Sequence, residues 1–188
     1  MRIYLIRHGE SETNFKKCWC GWMDFPLTEN GREDAGRAKK TLQSVSFDKV
    51  YASDLCRAVE TAEIALPGYE LETWPLLREV NVGSIAGKPL LSISEEQRLR
   101  ASQNGYTEFD GESKEEFNAR IYQVMQELES SPYDTVALFT HAGFLCGMLD
   151  TVLGMRLPRK NICCNNCTIA IFEYDGERWL LHSWINAL

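Results

Sequence analysis

An apolar run near the start of the chain, Ile3 to Ile6, ends abruptly in Arg7-His8-Gly9. A run without polar alternation is typical of a strand buried on both faces, and such strands occur in parallel sheets covered by helices. Gly9 allows the backbone to turn sharply just beyond the strand. His8 is therefore predicted at the carboxyl end of a central strand, where open α/β sheets bind their ligands.

The remainder of the chain alternates between strand and helix patterns. Strands are predicted at 47–52, 71–74, 135–140, 168–174 and 179–184, and helices after Thr28, after Ser53, after Ser113 and at 144–153. Thr28, Ser53 and Ser113 are the predicted N-caps, and Asp175-Gly176 is a hairpin signal. This order predicts an α/β fold with a doubly wound, mostly parallel sheet flanked by helices and an antiparallel C-terminal edge strand.

The length of 188 residues favours one domain, residues 1–188, with an irregular excursion at about 75–110 over the carboxyl edge of the sheet. A net charge of −7 argues against a nucleic-acid or anionic-membrane surface but leaves room for a local cluster of Arg and His around a phosphate. No apolar run reaches the length of a membrane span. The first residues already belong to a predicted strand, so no signal peptide is expected. We therefore expect a cytoplasmic protein without nucleic-acid or membrane partners.

Seven cysteines are present, an odd number that predicts free thiols in a cytosolic protein. Cys163, Cys164 and Cys167 suggest a metal site as an alternative, but the remote pair available to complete it is Cys18 and Cys20. Zinc sites usually need a second ligand pair at a suitable spacing. Packed free thiols at a strand start are the favoured interpretation, and no metal is predicted.

Basic side chains follow the predicted parallel strands at one edge of the sheet. Arg7 and His8 follow the first strand, His141 follows the strand at 135–140, and Arg57 lies one helical turn beyond Ser53. A helix N-terminus itself favours an anion. His141 alone would more often be a satisfied histidine at a strand end. Their joint placement predicts a phosphate pocket that contains a nucleophile.

Six motifs in chain order resemble the histidine phosphatase family, also called phosphoglycerate mutase-like. They are Arg7-His8-Gly9-Glu10 with Thr13-Asn14, Pro26 to Gly31, Ser53 to Ala58, Leu77-Arg78-Glu79, Gly111-Glu112-Ser113 and Thr140-His141-Ala142-Gly143. The match covers nearly the whole chain. Within the family the chain looks most like the short phosphatase branch, which includes α-ribazole phosphatase and broad-specificity phosphatases.

The resemblance implies a metal-independent phosphatase without cofactors, which hydrolyses a small-molecule phosphomonoester through a phosphohistidine. It implies that His8 is the nucleophile and Glu79 the proton donor. The implied phosphoryl-binding groups are Arg7, Arg57 and His141, with further contacts from Asn14, the backbone near Gly21 and the backbone N–H of Ala142. The chemistry agrees with this, because a neutral imidazole can attack phosphorus while Arg and His donors stabilise the equatorial oxygens.

The chain also departs from the family pattern. Gly83 to Gly87 lacks the acidic and aromatic side chains that often follow the proton donor, which leaves the substrate class open. No adjacent Arg pair, as found in the mutases, lies between Gly87 and Phe117, so hydrolysis is favoured over phosphoglycerate mutase activity. A non-catalytic phosphate-binding module is the remaining alternative.

Three further questions are left open by the sequence. Trp19, Trp22 and Phe25 either line the substrate mouth or pack their own loop, and His182 is interpreted as structural. The sequence determines neither the physiological substrate nor the oligomeric state.

Overall fold

A six-stranded sheet forms the centre of the structure, a computed structural model that describes residues 1–186. The strands are β1 (Arg2–Arg7), β2 (Lys49–Ala52), β3 (Leu71–Thr73), β4 (Thr135–Thr140), β5 (Ile169–Tyr174) and β6 (Trp179–Ile185). Their order across the sheet is β3-β2-β4-β1-β5-β6. The first four are mutually parallel, β5 is antiparallel to β1, and β6 is antiparallel to β5. The predicted mostly parallel α/β sheet with an antiparallel C-terminal edge is confirmed.

Six α-helices accompany the sheet in residues 1–186. They are α1 (Glu12–Phe15), α2 (Glu29–Leu42), α3 (Cys56–Ala65), α4 (Glu95–Asn104), α5 (Lys114–Glu129) and α6 (Ala142–Leu153). The hydroxyl of Thr28 accepts the Gly31 N–H at the start of α2, and Ser113 forms a capping box with Glu116 at the start of α5. Over this part of the chain, none of the helices combines the length and apolar character that crossing a bilayer requires.

The core consists of two apolar clusters, one on each face of the sheet. Alternate residues of β4 divide between them, as the period of a strand requires. Val136 and Leu138 pack with α5 and α6, whereas Ala137 and Phe139 pack with α2 and α3. All four β4 residues have no exposed surface. The central strands are therefore buried on both faces, which is why their sequences show no polar alternation.

The segment 75–110 consists of short 3₁₀ turns and helix α4. Five of its residues line a cleft that they share with residues of α6 and of the loop after α1, namely Glu79, Val80, Val82, Leu90 and Tyr106. Four apolar side chains of this segment, Val82, Ile85, Ile93 and Phe109, are buried together in a small cluster. The segment therefore has a small apolar core of its own.

Two local predictions were wrong. Ser53 does not cap α3, whose N-cap is Leu55 without a side-chain hydrogen bond. The Ser53 hydroxyl is instead fully buried and lies 2.9 Å from the His141 Nε2. The sequence between Ser11 and Leu27 predicts a loop, but this stretch contains the single helical turn α1, which Ser11 caps together with Asn14.

Gly9 and Gly31 allow the turn after β1 to contact the first turn of α2 directly. A Cβ on Gly9 would overlap the Gly31 carbonyl oxygen, and a Cβ on Gly31 would overlap the carbonyl oxygen of Glu10. Each glycine therefore permits a backbone-to-backbone approach that holds the residues beyond β1 in place.

We expect Gly31→Ala to lower the free energy of unfolding by about 1–3 kcal/mol, because the overlap is with backbone and requires a shift of the helix. Gly36→Ala is the matched control on the same helix, since a Cβ there meets nothing within 4 Å. That variant should gain about 0.5–1 kcal/mol from reduced backbone entropy of the unfolded chain. Urea unfolding of both variants measures the difference. Equal effects would contradict the close approach at Gly31.

Candidate active site

The ends of β1 and β4 bring the two predicted histidines together. Arg7 is in register with Thr140, so His8 and His141 follow neighbouring parallel strands. Their ring centroids are 5.1 Å apart. The predicted convergence at one sheet edge is confirmed as geometry.

The His8 side chain has a defined tautomer. Its Nδ1 lies 2.7 Å from the Gly9 carbonyl oxygen, and because a carbonyl can only accept, Nδ1 carries the hydrogen. Nε2 is left with a lone pair. Burial, with Arg57 and Arg7 nearby, lowers the pKa of His8 well below its usual value. His8 is 4% exposed. The residue is therefore a neutral imidazole with a free Nε2, the form that a nucleophile needs.

His141 is fully buried beside it at the N-terminal end of α6. Its Nε2 contacts the Ser53 hydroxyl, while its buried Nδ1 has no hydrogen-bond partner among residues 1–186. Burial lowers the pKa of His141 well below its usual value, and Arg57 and His8 lower it further. If Ser53 donates to Nε2, the unpartnered Nδ1 carries an N–H that can donate to a ligand.

Two arginines at this edge are held by backbone carbonyls. The Nη atoms of Arg57, which has no exposed surface, donate to the carbonyls of Gly21 and Met23 at 2.9 Å each. Arg7 donates through Nη1 to the carbonyl of Cys164. The Nε atoms of both are buried without a partner. Within residues 1–186 neither forms an ion pair with a carboxylate. A buried and a half-buried cation, each without a carboxylate partner and with an unused N–H group, are suited to binding an anion.

The Glu79 carboxylate is fixed by two backbone amides. Oε1 accepts the Val80 N–H at 2.9 Å, and Oε2 accepts the Gly143 N–H at 3.1 Å in the first turn of α6. A Cβ on Gly143 would overlap the carboxylate. Gly143 is therefore required for Glu79 to reach this position.

A cleft of about 410 Å³ opens above these groups. Asn14, Gly21, Glu79 and Ala142, which were all predicted site residues, line it. Within residues 1–186, the side chains of Arg7, His8, Arg57 and His141 are not part of this lining. Asn14 Oδ1 accepts from Asn166 Nδ2 at 3.2 Å, which leaves its amide NH₂ as the free group. Gly21 has φ +53, and a Cβ there would meet the Val82 side chain at 2.7 Å.

Arg120 is a positioning residue that the sequence analysis missed. It forms a largely buried pair with Glu112, Nη2 to Oε2 at 2.8 Å. Its guanidinium also donates to the carbonyls of Leu76, Arg78 and Glu79 at 2.7, 2.6 and 3.1 Å. In the sequence, the feature that could have indicated this role is the charge of Arg120 among the apolar positions of α5. Arg120 thus fixes the backbone from Leu76 to the carbonyl of Glu79, the proton-donor candidate.

The aromatic loop residues have different roles. Trp19 lines the cleft and packs edge-on against Tyr106. Trp22 does not line it, but its Nε1 donates to the Glu79 carbonyl at 2.7 Å and its ring lies under the Arg78 guanidinium. Phe25 does not line the cleft either. Trp19 is therefore at the mouth, while Trp22 supports the Glu79 backbone.

All seven cysteines are unpaired thiols. Four of them line the cleft, namely Cys18, Cys20, Cys146 and Cys164. Burial raises the pKa of the Cys20 thiol. In residues 1–186 no group of three or more His, Cys, Asp or Glu side chains is arranged to hold a metal ion.

Known proteins share both this sequence pattern and this fold. The family described as "Histidine phosphatase superfamily (branch 1)" matches residues 3–187. A "Probable phosphoglycerate mutase GpmB" of Photorhabdus laumondii is 31% identical, over 98% of this chain and 90% of its own. An Escherichia coli structure described as a "putative alpha-ribazole-5'-P phosphatase" is 25% identical, with a TM-score of 0.83 and coverage of 100% and 97%. A Thermus thermophilus phosphoglycerate mutase structure is 28% identical, with a TM-score of 0.75 and coverage of 96% and 97%.

Because the pKa values of His8 and His141 are lowered in the folded protein, stability should depend on pH. Below about pH 6.5 the unfolded chain binds protons that the folded site excludes, so the free energy of unfolding falls as the pH falls. Each histidine contributes up to about 1.4 kcal/mol per pH unit. Urea unfolding between about pH 7.5 and 5 measures this slope.

The double variant His8→Gln/His141→Gln should flatten the pH slope. His182→Gln, which changes an exposed histidine, is the control and should retain it. A slope that survives loss of both buried histidines would show that other groups cause it.

Proposed function

Because the chain belongs to branch 1 of the histidine phosphatase superfamily, we propose that it is a phosphatase that hydrolyses a small-molecule phosphomonoester through a phosphohistidine at His8. The observation that carries this proposal is the neutral His8 imidazole, with Nδ1 bonded to the Gly9 carbonyl and Nε2 free, next to the buried Arg57 and the half-buried Arg7. Within residues 1–186 neither arginine pairs with a carboxylate, and the Nε of each has no partner. That combination supplies a nucleophile and a phosphate site at one place.

In the first step the Nε2 lone pair of His8 attacks phosphorus in line as the bond to the alcohol oxygen breaks. Negative charge spreads over the three equatorial oxygens in the transition state. The free N–H groups of Arg7, Arg57 and His141 are already oriented and desolvated, so they stabilise that charge with little reorganisation. We propose that the amide of Asn14 and the backbone at Gly21 and Ala142 add contacts at the cleft surface.

Glu79 is the general acid in the first step and the general base in the second. As the ester bond breaks, its carboxyl group donates a proton to the leaving alcohol oxygen. In the second step it takes a proton from water, whose oxygen attacks phosphorus as the N–P bond to His8 breaks. Phosphate leaves, and His8 and Glu79 return to their starting states. Its position in the cleft wall supports this role, and the Val80 and Gly143 amides hold the group in that position.

Hydrolysis is favoured over mutase activity, although relatives carry both kinds of name. Arg98 and Arg100 of the excursion do not line the cleft, and Arg100 pairs with Glu96 and Glu108 on the surface. Formation of 2-phosphoglycerate from 3-phosphoglycerate, without release of phosphate, would identify the mutase alternative.

Two arginines provide the positive charge that a metal ion supplies in other phosphatases, so we propose a metal-independent reaction. The negative net charge and the free thiols support a cytoplasmic enzyme that acts on a small molecule.

Acid-quenched enzyme, after incubation with ³²P-labelled substrate, should carry phosphate that is labile in acid and stable in base, as expected of phosphohistidine. His8→Ala should remove both the label and the turnover of p-nitrophenyl phosphate while the fold remains, because His8 belongs to the site and not to either apolar cluster. Both assays are run with excess chelator.

His182→Ala is the matched control, since it changes an exposed histidine. Turnover by His8→Ala at the wild-type rate would refute the nucleophile assignment. Loss of wild-type activity on chelation, with recovery on adding Mg²⁺ or Zn²⁺, would refute the metal-independent mechanism.

Glu79→Gln should slow phosphorylation by alkyl phosphates about 10²–10⁴-fold and phosphorylation by p-nitrophenyl phosphate far less, because p-nitrophenolate leaves almost without a proton. Gly143→Ala should produce the same selective loss with Glu79 present, since the added Cβ displaces the carboxylate. Pre-steady-state phosphorylation rates with both leaving groups measure the effect.

Gly36→Ala, where the added methyl group meets nothing, is the control glycine. If Glu79→Gln slowed both substrates equally, Glu79 would not be the acid, and Glu10 and Glu12 near the nucleophile would be the next candidates.

A further inference from the structure

A second, smaller cavity of about 150 Å³ adjoins the cleft. The two share Val80, Tyr106, Gly143 and Arg159 in their walls. Val80 and Gly143 are also the residues whose amides hold the Glu79 carboxylate. The second cavity therefore lies on the side of the cleft where the proton donor meets the leaving group.

Three basic side chains line this cavity, and no acidic side chain does. They are Lys114 from the first turn of α5, with Arg156 and Arg159 from the segment after α6. The acids nearest to Lys114 are Asp150 and Glu115. Asp150 forms a two-pronged pair with Arg159 from outside the cavity, at 3.0 and 2.6 Å. Arg156 forms no ion pair within residues 1–186, so positive charge is left over.

Arg156 and Arg159 are exposed, and Lys114 is the cation of this cavity that is withdrawn from solvent. Lys114 is half-buried, and Phe117 and Ala101 contribute apolar wall. Burial is the main cause that lowers the pKa of Lys114; the charges of Asp150 and Glu115 act to raise it, and those of Arg159 and Arg156 act to lower it. Three cations at one concave site repel each other, and an anion bound between them would relieve that repulsion.

We propose that this cavity binds a second anionic group, a carboxylate or a second phosphate, on the leaving-group end of the substrate. The inference rests on the proposed function and narrows it: the substrate is a phosphomonoester of an acidic small molecule. Its phosphate lies at Arg7 and Arg57, its ester oxygen faces Glu79, and its distal anion faces Lys114 and Arg156. Lys114 and Arg156 then determine specificity without touching the reacting atoms.

Phosphonates have no ester bond to hydrolyse, so their binding tests this inference without catalysis. The probes have two to five methylene groups between a phosphonate and a terminal carboxylate, a terminal phosphonate or a terminal hydroxyl. Isothermal titration of the wild-type protein should show the acid-terminated member binding about tenfold more tightly than its alcohol at the chain length that spans the two cavities. The carboxylate and phosphonate series indicate which anion the cavity prefers.

Lys114→Met/Arg156→Met should abolish this preference and bring the ratio of the two dissociation constants to about one. Lys39→Met/Lys160→Met removes the same charge from exposed positions outside both cavities and should retain the preference. Arg159 is left intact, because its pairing with Asp150 holds the segment after α6. Circular dichroism confirms that each variant is folded.

Equal binding of acid and alcohol at every length would overturn the inference and leave the phosphatase proposal in place. A preference that persists in Lys114→Met/Arg156→Met would also overturn it, because the anion would then bind elsewhere. If no phosphonate binds at all, the phosphate site fails and the inference fails with it. The phosphoenzyme experiment at His8 decides the proposed function independently of all these results.

Discussion

At the carboxyl edge of the sheet, the guanidinium groups of the buried Arg57 and the half-buried Arg7 have no carboxylate partner within residues 1–186, and much of the site's structure follows from that constraint. Burying a charge is costly unless hydrogen bonds compensate for it. The compensation here comes from main-chain carbonyls, those of Gly21 and Met23 for Arg57 and that of Cys164 for Arg7. The loops that carry these carbonyls are thereby fixed around the site. The remaining N–H groups and the net positive charge are left for an anion.

The same charges determine the state of the histidines. Burial and the nearby arginines together lower the pKa values of His8 and His141, so both rings are neutral. Neutrality leaves His8 Nε2 unprotonated, and the Gly9 carbonyl determines which nitrogen holds the hydrogen. One set of buried cations therefore both attracts the phosphate and keeps the nucleophile in its reactive form.

Glu79 depends on a different support. It lies in a segment without regular secondary structure, where the sheet cannot position it. Arg120 and Trp22 both donate to its carbonyl, and the Val80 and Gly143 amides fix its carboxylate. Removing one partner from a buried pair such as Arg120–Glu112 typically costs about 3–5 kcal/mol, so this support contributes to stability as well as to geometry.

The sequence by itself determined the sheet class, the strand ends and the presence of His8, Arg57 and His141 at one edge. Those features follow from local periodicity and from the rule that parallel strands end on the same side. The tertiary structure decided which partner each side chain has. Ser53 was predicted as a helix cap and instead contacts His141, because burial beside another strand end offers a stronger partner than the helix turn. Arg120 and the cavity at Lys114 join segments far apart in the chain, and such contacts leave no periodic pattern in the sequence.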